Sequence, residues 1–128
     1  MLPVIYIVDD DDSVRRALKR LIRSAGMQVR CFRSAEEFLD FEDIDQNACL
    51  IVDIKLQGIS GLELCGKLQT KGYDLPVIFI TGFDSPETRH MAKNAGAAAY
   101  FRKPIDDQAL LDSIDWALTK QFSKITWR

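Results

Sequence analysis

Short apolar runs rich in β-branched and aromatic residues recur at residues 4–8, 28–32, 48–52, 77–80 and 98–101. Each leads into polar or glycine-containing punctuation, which predicts five strands. The intervening stretches carry helical periodicity, clearest in the first, where Val14, Ala17, Leu18, Leu21 and Ile22 fall on one side. Start and stop signals agree with that reading. Ser34 with Glu37 and Ser60 with Glu63 have capping-box spacing, Ser85-Pro86 is an N-cap followed by a first-turn proline, and Gly26, Gly72 and Gly96 sit where helices should end. Strict alternation of strands and helices predicts a doubly wound α/β domain, one five-stranded parallel sheet with helices on both faces. The last helix should start near Asp106. No repeat or linker interrupts the pattern, so a single domain is expected over 1–120, with 121–128 as a helix extension or the start of a linker.

At 128 residues and 47% hydrophobic content, one core is affordable without disulfides. The net charge of −2 argues against nucleic acid as a primary partner and against a polybasic membrane anchor. Cys31, Cys49 and Cys65 are odd in number, widely spaced and without a neighbouring His, so they read as small buried hydrophobes in a reducing compartment. Met1-Leu2-Pro3 offers no basic leader with a cleavage site, and no stretch is long enough to span a bilayer. The cytoplasm is the expected location.

In open parallel sheets, ligands bind at the carboxyl ends of strands, so the residues following each run matter most. Asp9 and Asp10 follow the first run, Asp53 the third, Thr81-Gly82 the fourth and Lys103-Pro104 the fifth. Three carboxylates cannot share a small site unaided, because two unit charges about 4 Å apart repel by roughly 4 kcal/mol at an effective dielectric near 20. Lys103 supplies one positive charge, and an all-oxygen ligand set suits Mg²⁺, with Mn²⁺ also acceptable. A carboxylate held against a metal and an ammonium is poised to attack phosphorus and form an aspartyl phosphate. Thr81 can donate to a phosphoryl oxygen, and Gly82 leaves room for the group to enter.

Ile7-Val8-Asp9-Asp10, Leu50-Ile51-Val52-Asp53, Gly58-Ile59-Ser60-Gly61, Ile80-Thr81-Gly82 and Lys103-Pro104 together resemble the receiver domain of two-component response regulators, most closely the FixJ/NarL branch. The resemblance covers nearly the whole chain and implies a flavodoxin-like (βα)5 fold. It implies that Asp53 is the phosphoacceptor, that Asp10, Asp53 and the Lys55 backbone carbonyl ligate the metal, and that Asp9 acts largely through a bound water. Lys103 would bridge to the phosphoryl group, with a cis peptide into Pro104, and Thr81 with Tyr100 would form a switch pair. The implied function is a phosphorylation switch that signals through helix 4, strand 5 and helix 5, catalysing only its own phosphorylation and dephosphorylation. Its implied partners are a sensor histidine kinase or phosphotransfer protein, and a second copy through that same surface. The chain departs from the family pattern at Lys55-Leu56-Gln57-Gly58. Lys55, Gln57 and Phe83 are candidate rate-tuning positions, and Gln57, where proline is usual, should loosen the loop.

Other features have plainer readings. Asp11 and Asp12 suit a helix N-terminus. Arg15, Arg16, Lys19, Arg20 and Arg23 form a basic stripe, read as a solvated face or a docking surface for an acidic helix. His90 reads as a surface residue. Trp116 lies opposite the stripe of Leu110, Ile114, Ala117 and Leu118, which suggests an interface or packing against Phe122 and Trp127. Helix 4, with Met91, Ala92 and Ala95 as its apolar residues, should be marginally held. Two rival readings are a phosphorylation-independent adaptor and a metal-dependent phosphatase. The latter usually has a second aspartate two residues after the first, where this chain has Lys55.

Overall fold

A computed structural model describes residues 2–123, and for 120–123 the backbone alone. Five strands, β1 (Val4–Val8), β2 (Gln28–Phe32), β3 (Ala48–Asp53), β4 (Val77–Thr81) and β5 (Ala99–Arg102), form one parallel sheet in the order β2-β1-β3-β4-β5. Five helices alternate with them: α1 (Asp12–Ser24), α2 (Ala35–Asp40), α3 (Gly61–Thr70), α4 (Pro86–Asn94) and α5 (Asp107–Ser123). The predicted architecture is therefore the observed one. β3 and β4 each run one residue further than the apolar pattern suggests, taking in Asp53 and Thr81, because polar side chains at a strand's end do not interrupt its ladder. β5 is displaced by one residue toward the C-terminus.

The continuous apolar runs conceal a period of two. Ile5 and Ile7 of β1, with Cys49 and Ile51 of β3, pack under Leu18 and Ile22 of α1 and Leu110 and Ile114 of α5. Val4, Tyr6 and Val8, with Leu50, Val52 and Phe79, pack against Phe38 of α2 and Leu64 and Leu68 of α3 on the other face. Each fully buried side chain of this size contributes about 1.5–3 kcal/mol, so both faces hold the central strands firmly. Continuing the alternation, Asp53 falls on the α1/α5 side, whereas Thr81, two residues after Phe79, falls on the side of α4.

Local chemistry fixes the helix ends. Asp11 caps α1 by accepting from the Ser13 and Val14 amides, as an acid before a helix should. Ser60 and Glu63 form the reciprocal capping box. At Ser34 the box is incomplete: the Ser34 hydroxyl accepts from Glu37, but the Glu37 carboxylate turns back to the Arg33 amide instead of that of Ser34. Ser85 caps α4 with Pro86 in its first turn. Gly26, Gly72 and Gly96 all follow helices at φ between 84° and 90°, the left-handed region glycine tolerates best.

Several expectations need correction. Ala17 is exposed, because it lies at the rim of the α1 apolar stripe. Arg15 does not belong to a solvated face: its side chain is 13% exposed, and its guanidinium folds back to donate to the Asp9 carbonyl at 2.7 Å and to Asp12 at 3.0 Å. Cys49 and Cys65 are buried, but Cys31 is half-buried on an edge strand; all three are free thiols. Other expectations hold. His90 is exposed beside Asn94, Trp116 is exposed on α5, and Ala92 is the buried residue of α4, with Ala95 half-buried and Met91 exposed. Trp127 and the Phe122 side chain lie outside the described residues. No helix among the described residues is long and apolar enough to cross a membrane.

Candidate functional site at the carboxyl edge of the sheet

β1 and β3 are adjacent and in register, Val8 opposite Val52, so the residues that follow emerge side by side. Asp9, Asp10 and Asp53 each present a carboxylate oxygen within 4.8 Å of the others'. β4 lies on the far side of β3, and β5 beyond it carries Lys103 back toward the acids. The Lys103 ammonium stands 2.9 Å from Asp53 Oδ2 and 3.0 Å from Asp9 Oδ2. The Lys103 amide donates to the Thr81 carbonyl at 2.8 Å, and the Lys103-Pro104 peptide is cis, as the resemblance implied.

Burial differs sharply among the acids. Asp9 has no exposed surface and Asp53 very little, whereas Asp10 opens to solvent. Burial pushes the Asp9 carboxyl up from its ordinary value; the Asp11 amide and Lys103 oppose that rise, and the charge on Asp53 adds to it. Burial presses Lys103 the other way, but Asp53 and Asp9 outweigh it and hold the ammonium above the ordinary lysine value.

The hydrogen-bond inventory leaves one oxygen over. Asp53 Oδ1 accepts from the Lys55 amide at 3.0 Å and Oδ2 from Lys103, while Asp9 Oδ1 accepts from the Asp11 amide at 2.8 Å. Asp9 Oδ2 is near Lys103 in charge but lacks hydrogen-bond geometry toward it. A buried carboxylate oxygen without a donor is costly. Three carboxylates against one ammonium also leave a formal charge near −2. A buried oxygen held by charge alone, an all-oxygen donor set and two uncompensated charges fit a small divalent cation such as Mg²⁺.

Around this cluster, the fully buried Thr81 hydroxyl accepts from the Phe83 amide at 3.0 Å, and its own hydrogen remains to be donated. Beyond Gly82 the space is open, since a Cβ there would meet nothing within 4 Å. Gly61 is the opposite case: a Cβ there would lie 2.5 Å from the Asp53 carbonyl oxygen, so α3 can start beneath the site only with glycine. Phe83 is 68% exposed, and the Lys55 ammonium sits 5.0 Å above its ring. Gln57 is exposed.

Two features escape the sequence pattern. Asp84 accepts from the Tyr100 hydroxyl at 2.9 Å and grips the Arg89 guanidinium through both oxygens at 2.9 and 2.6 Å. Arg89 first and Tyr100 second hold its carboxyl down to about 2. An acid just before a helix cap looks like a simple N-terminal charge, and nothing in the local sequence joins it to Tyr100. Glu36 on α2 likewise reads as an ordinary first-turn acid, yet it accepts from the Ile59 amide at 3.1 Å across 23 residues of chain.

Known proteins similar to this chain are numerous. The response regulator receiver domain family matches residues 5–115. The response regulator protein TmoT of Ectopseudomonas mendocina is 44% identical over 117 residues, covering 90% of this chain and 52% of TmoT. The chain thus spans about half the length of the curated relatives it matches. The response regulator StyR superposes with a TM-score of 0.88 at 36% identity over 98% of this chain and 64% of its own. The structure of FixJ-N does so with 0.85 at 32% identity, covering 93% and 95% of the two chains. The fold, the motifs at the strand ends and these likenesses agree: the chain belongs to the response regulator receiver domain family of two-component signalling.

Proposed function

We propose that this domain accepts a phosphoryl group on Asp53 from a phosphohistidine of a sensor kinase or phosphotransfer protein, and signals through the α4-β5-α5 surface. The observation that carries the reading is the meeting of Asp9, Asp10 and Asp53 within 4.8 Å, with Lys103 spanning Asp9 and Asp53. Asp10, Asp53 and the Lys55 carbonyl would hold Mg²⁺ or Mn²⁺ directly, and Asp9 through water. Bound there, the cation offsets negative charge on the phosphoryl oxygens. An Asp53 oxygen forms its bond to phosphorus as the P–N bond of the donor breaks, the bonding pair leaving on the imidazole nitrogen. Lys103 stays within reach of the transferred oxygens.

Thr81 donates its hydroxyl hydrogen to a phosphoryl oxygen. Tyr100 lies on the same sheet face as Thr81, because it pairs with Phe79, and it answers by reorienting. Exposed Met91 on α4 and Trp116 on α5 flank the surface so altered, which supports a partner or a second copy docking there. The cation–π pair of Lys55 and Phe83 and the exposed Gln57 would tune how readily water reaches the phosphoryl group.

The test is incubation with Mg²⁺ and acetyl phosphate followed by intact mass measurement. A one-phosphoryl gain in the native protein and none in Asp53→Asn is expected. No gain with metal demonstrably bound would replace this reading with that of a phosphorylation-independent adaptor.

A further inference from the structure

The loop from Ile54 to Gly61 carries the Lys55 carbonyl and is anchored at its two ends. The Ile54 amide donates to the Ile80 carbonyl at 3.0 Å, and the Gly61 amide closes the loop by donating to the Ile54 carbonyl at 3.0 Å. Within it, Gln57 imposes no restraint on φ of the kind a proline would, and Gly58 sits at φ 80°. Such a segment would sample many conformations if nothing else held it. Among the described residues, one hydrogen bond ties residues 56–59 to another element: the Ile59 amide donates to Glu36 Oε2.

The packing around that bond is close. A Cβ on Gly58 would collide with the Glu36 carboxylate, so the residue at 58 must be small for the carboxylate to reach the backbone at all. Ser60, immediately after Ile59, is the α3 N-cap with its full capping box, so a tether at Ile59 fixes the loop where the rigid helix begins. Leu56 and Ile59 also rest their side chains against the core and the Lys55 amide is bound to Asp53 Oδ1, so the tether adds a backbone restraint to a loop already held by its side chains and at its start.

We infer that Glu36 is a positioning residue for the metal site: by accepting from the Ile59 amide it pins the loop and helps hold the Lys55 carbonyl in place for the cation. The inference rests on the proposed role of that carbonyl as a ligand. Glu36 touches neither metal nor phosphoryl group and acts through the backbone. Its plain structural role would be that of a first-turn acid favouring the α2 N-terminus, which depends on its charge. The positioning role depends on its acceptor oxygen, which glutamine keeps.

The test compares the native protein with Glu36→Ala and Glu36→Gln by calorimetric titration with Mg²⁺ and by amide hydrogen exchange without metal. Glu36→Ala should weaken Mg²⁺ binding roughly three- to tenfold, the scale of one lost hydrogen bond, and speed exchange at Ile59. Glu36→Gln should restore both, although it loses the charge. Unchanged Mg²⁺ affinity in Glu36→Ala, or a Glu36→Gln variant as impaired as the alanine, would overturn the positioning role while leaving the metal site standing. A native protein that binds no Mg²⁺ would overturn both, and exchange at Ile59 would still report whether the tether forms.

Discussion

The Tyr100 hydroxyl donates to Asp84 Oδ1 at 2.9 Å, and the same carboxylate holds Arg89 of α4, so one side chain ties β5 to the helix beside it. Thr81 reaches the same loop, through the Phe83 amide one residue before Asp84. A hydroxyl drawn from Phe83 toward a phosphoryl group would therefore disturb the segment that anchors Tyr100.

Loss of this tie is readable in the ionisation of Tyr100. Burial first, and the neighbouring Asp84 second, push its phenol up to about 12. Asp84→Asn should bring it part of the way back, leaving the burial contribution, as followed by phenolate absorbance against pH with Tyr100→Phe as the reference. The Asp84 carboxyl is depressed in the folded state, so its contribution to stability is present above the ordinary carboxylate range and is lost as pH falls through about 2. An acid titration of Asp84→Asn should lack that component.

Lys103→Met tests how the buried acids are tolerated. It leaves Asp9 and Asp53 side by side without the ammonium, and a loss of about 2 kcal/mol is expected near neutral pH without metal, below that of a fully buried pair because Lys103 is partly exposed. The Asp9 carboxyl, already raised, should rise further. For a raised carboxyl, stability is complete below the unfolded value and is lost as pH rises through the folded one. Urea midpoints in EDTA should therefore show the variant recovering as pH falls from neutrality toward the ordinary carboxylate range, whereas a deficit that stays constant over that fall would contradict the assignment.

Gly61→Ala places a methyl group against the Asp53 carbonyl, a backbone atom that cannot swing away. A destabilisation of about 3 kcal/mol and weakened Mg²⁺ binding are expected together. Gly66→Ala, on the open face of the same helix, should cost nothing and gain slightly from helix propensity. Chemical denaturation of the two variants decides the matter.

The three thiols should react in order of access. Burial pushes Cys49 and Cys65 to about 12, while Cys31, also raised, is half-buried on edge strand β2. Timed alkylation with peptide mapping should modify Cys31 first and Cys49 at the rate of opening of the fold. Early labelling of Cys49 would mean that the sheet centre is far looser than its packing.

What was legible in the sequence follows a physical line. The strands announced themselves as apolar runs, and Asp9, Asp10, Asp53 and Lys103 stood out because parallel register delivers the residues after adjacent strands to one place. Asp84 and Glu36 did not stand out. Their partners are 16 and 23 residues away and are reached by side-chain geometry that no periodicity encodes. Arg15 escapes the pattern for the same reason: helical spacing puts it with the basic stripe, but its length allows it to fold back to the Asp9 carbonyl. At Ser34 the spacing of a capping box was present, yet Glu37 bonded one residue further back.

Lys103, poised between Asp9 and Asp53, has a consequence for how such a domain lives in the cell. It is a resident counter-ion, covalently guaranteed, that keeps the acidic edge tolerable before any metal arrives. On the proposed reading, folding and readiness are thereby uncoupled: the ammonium would let the chain acquire its shape under ion starvation, and later supply of the cation would arm a scaffold already in place.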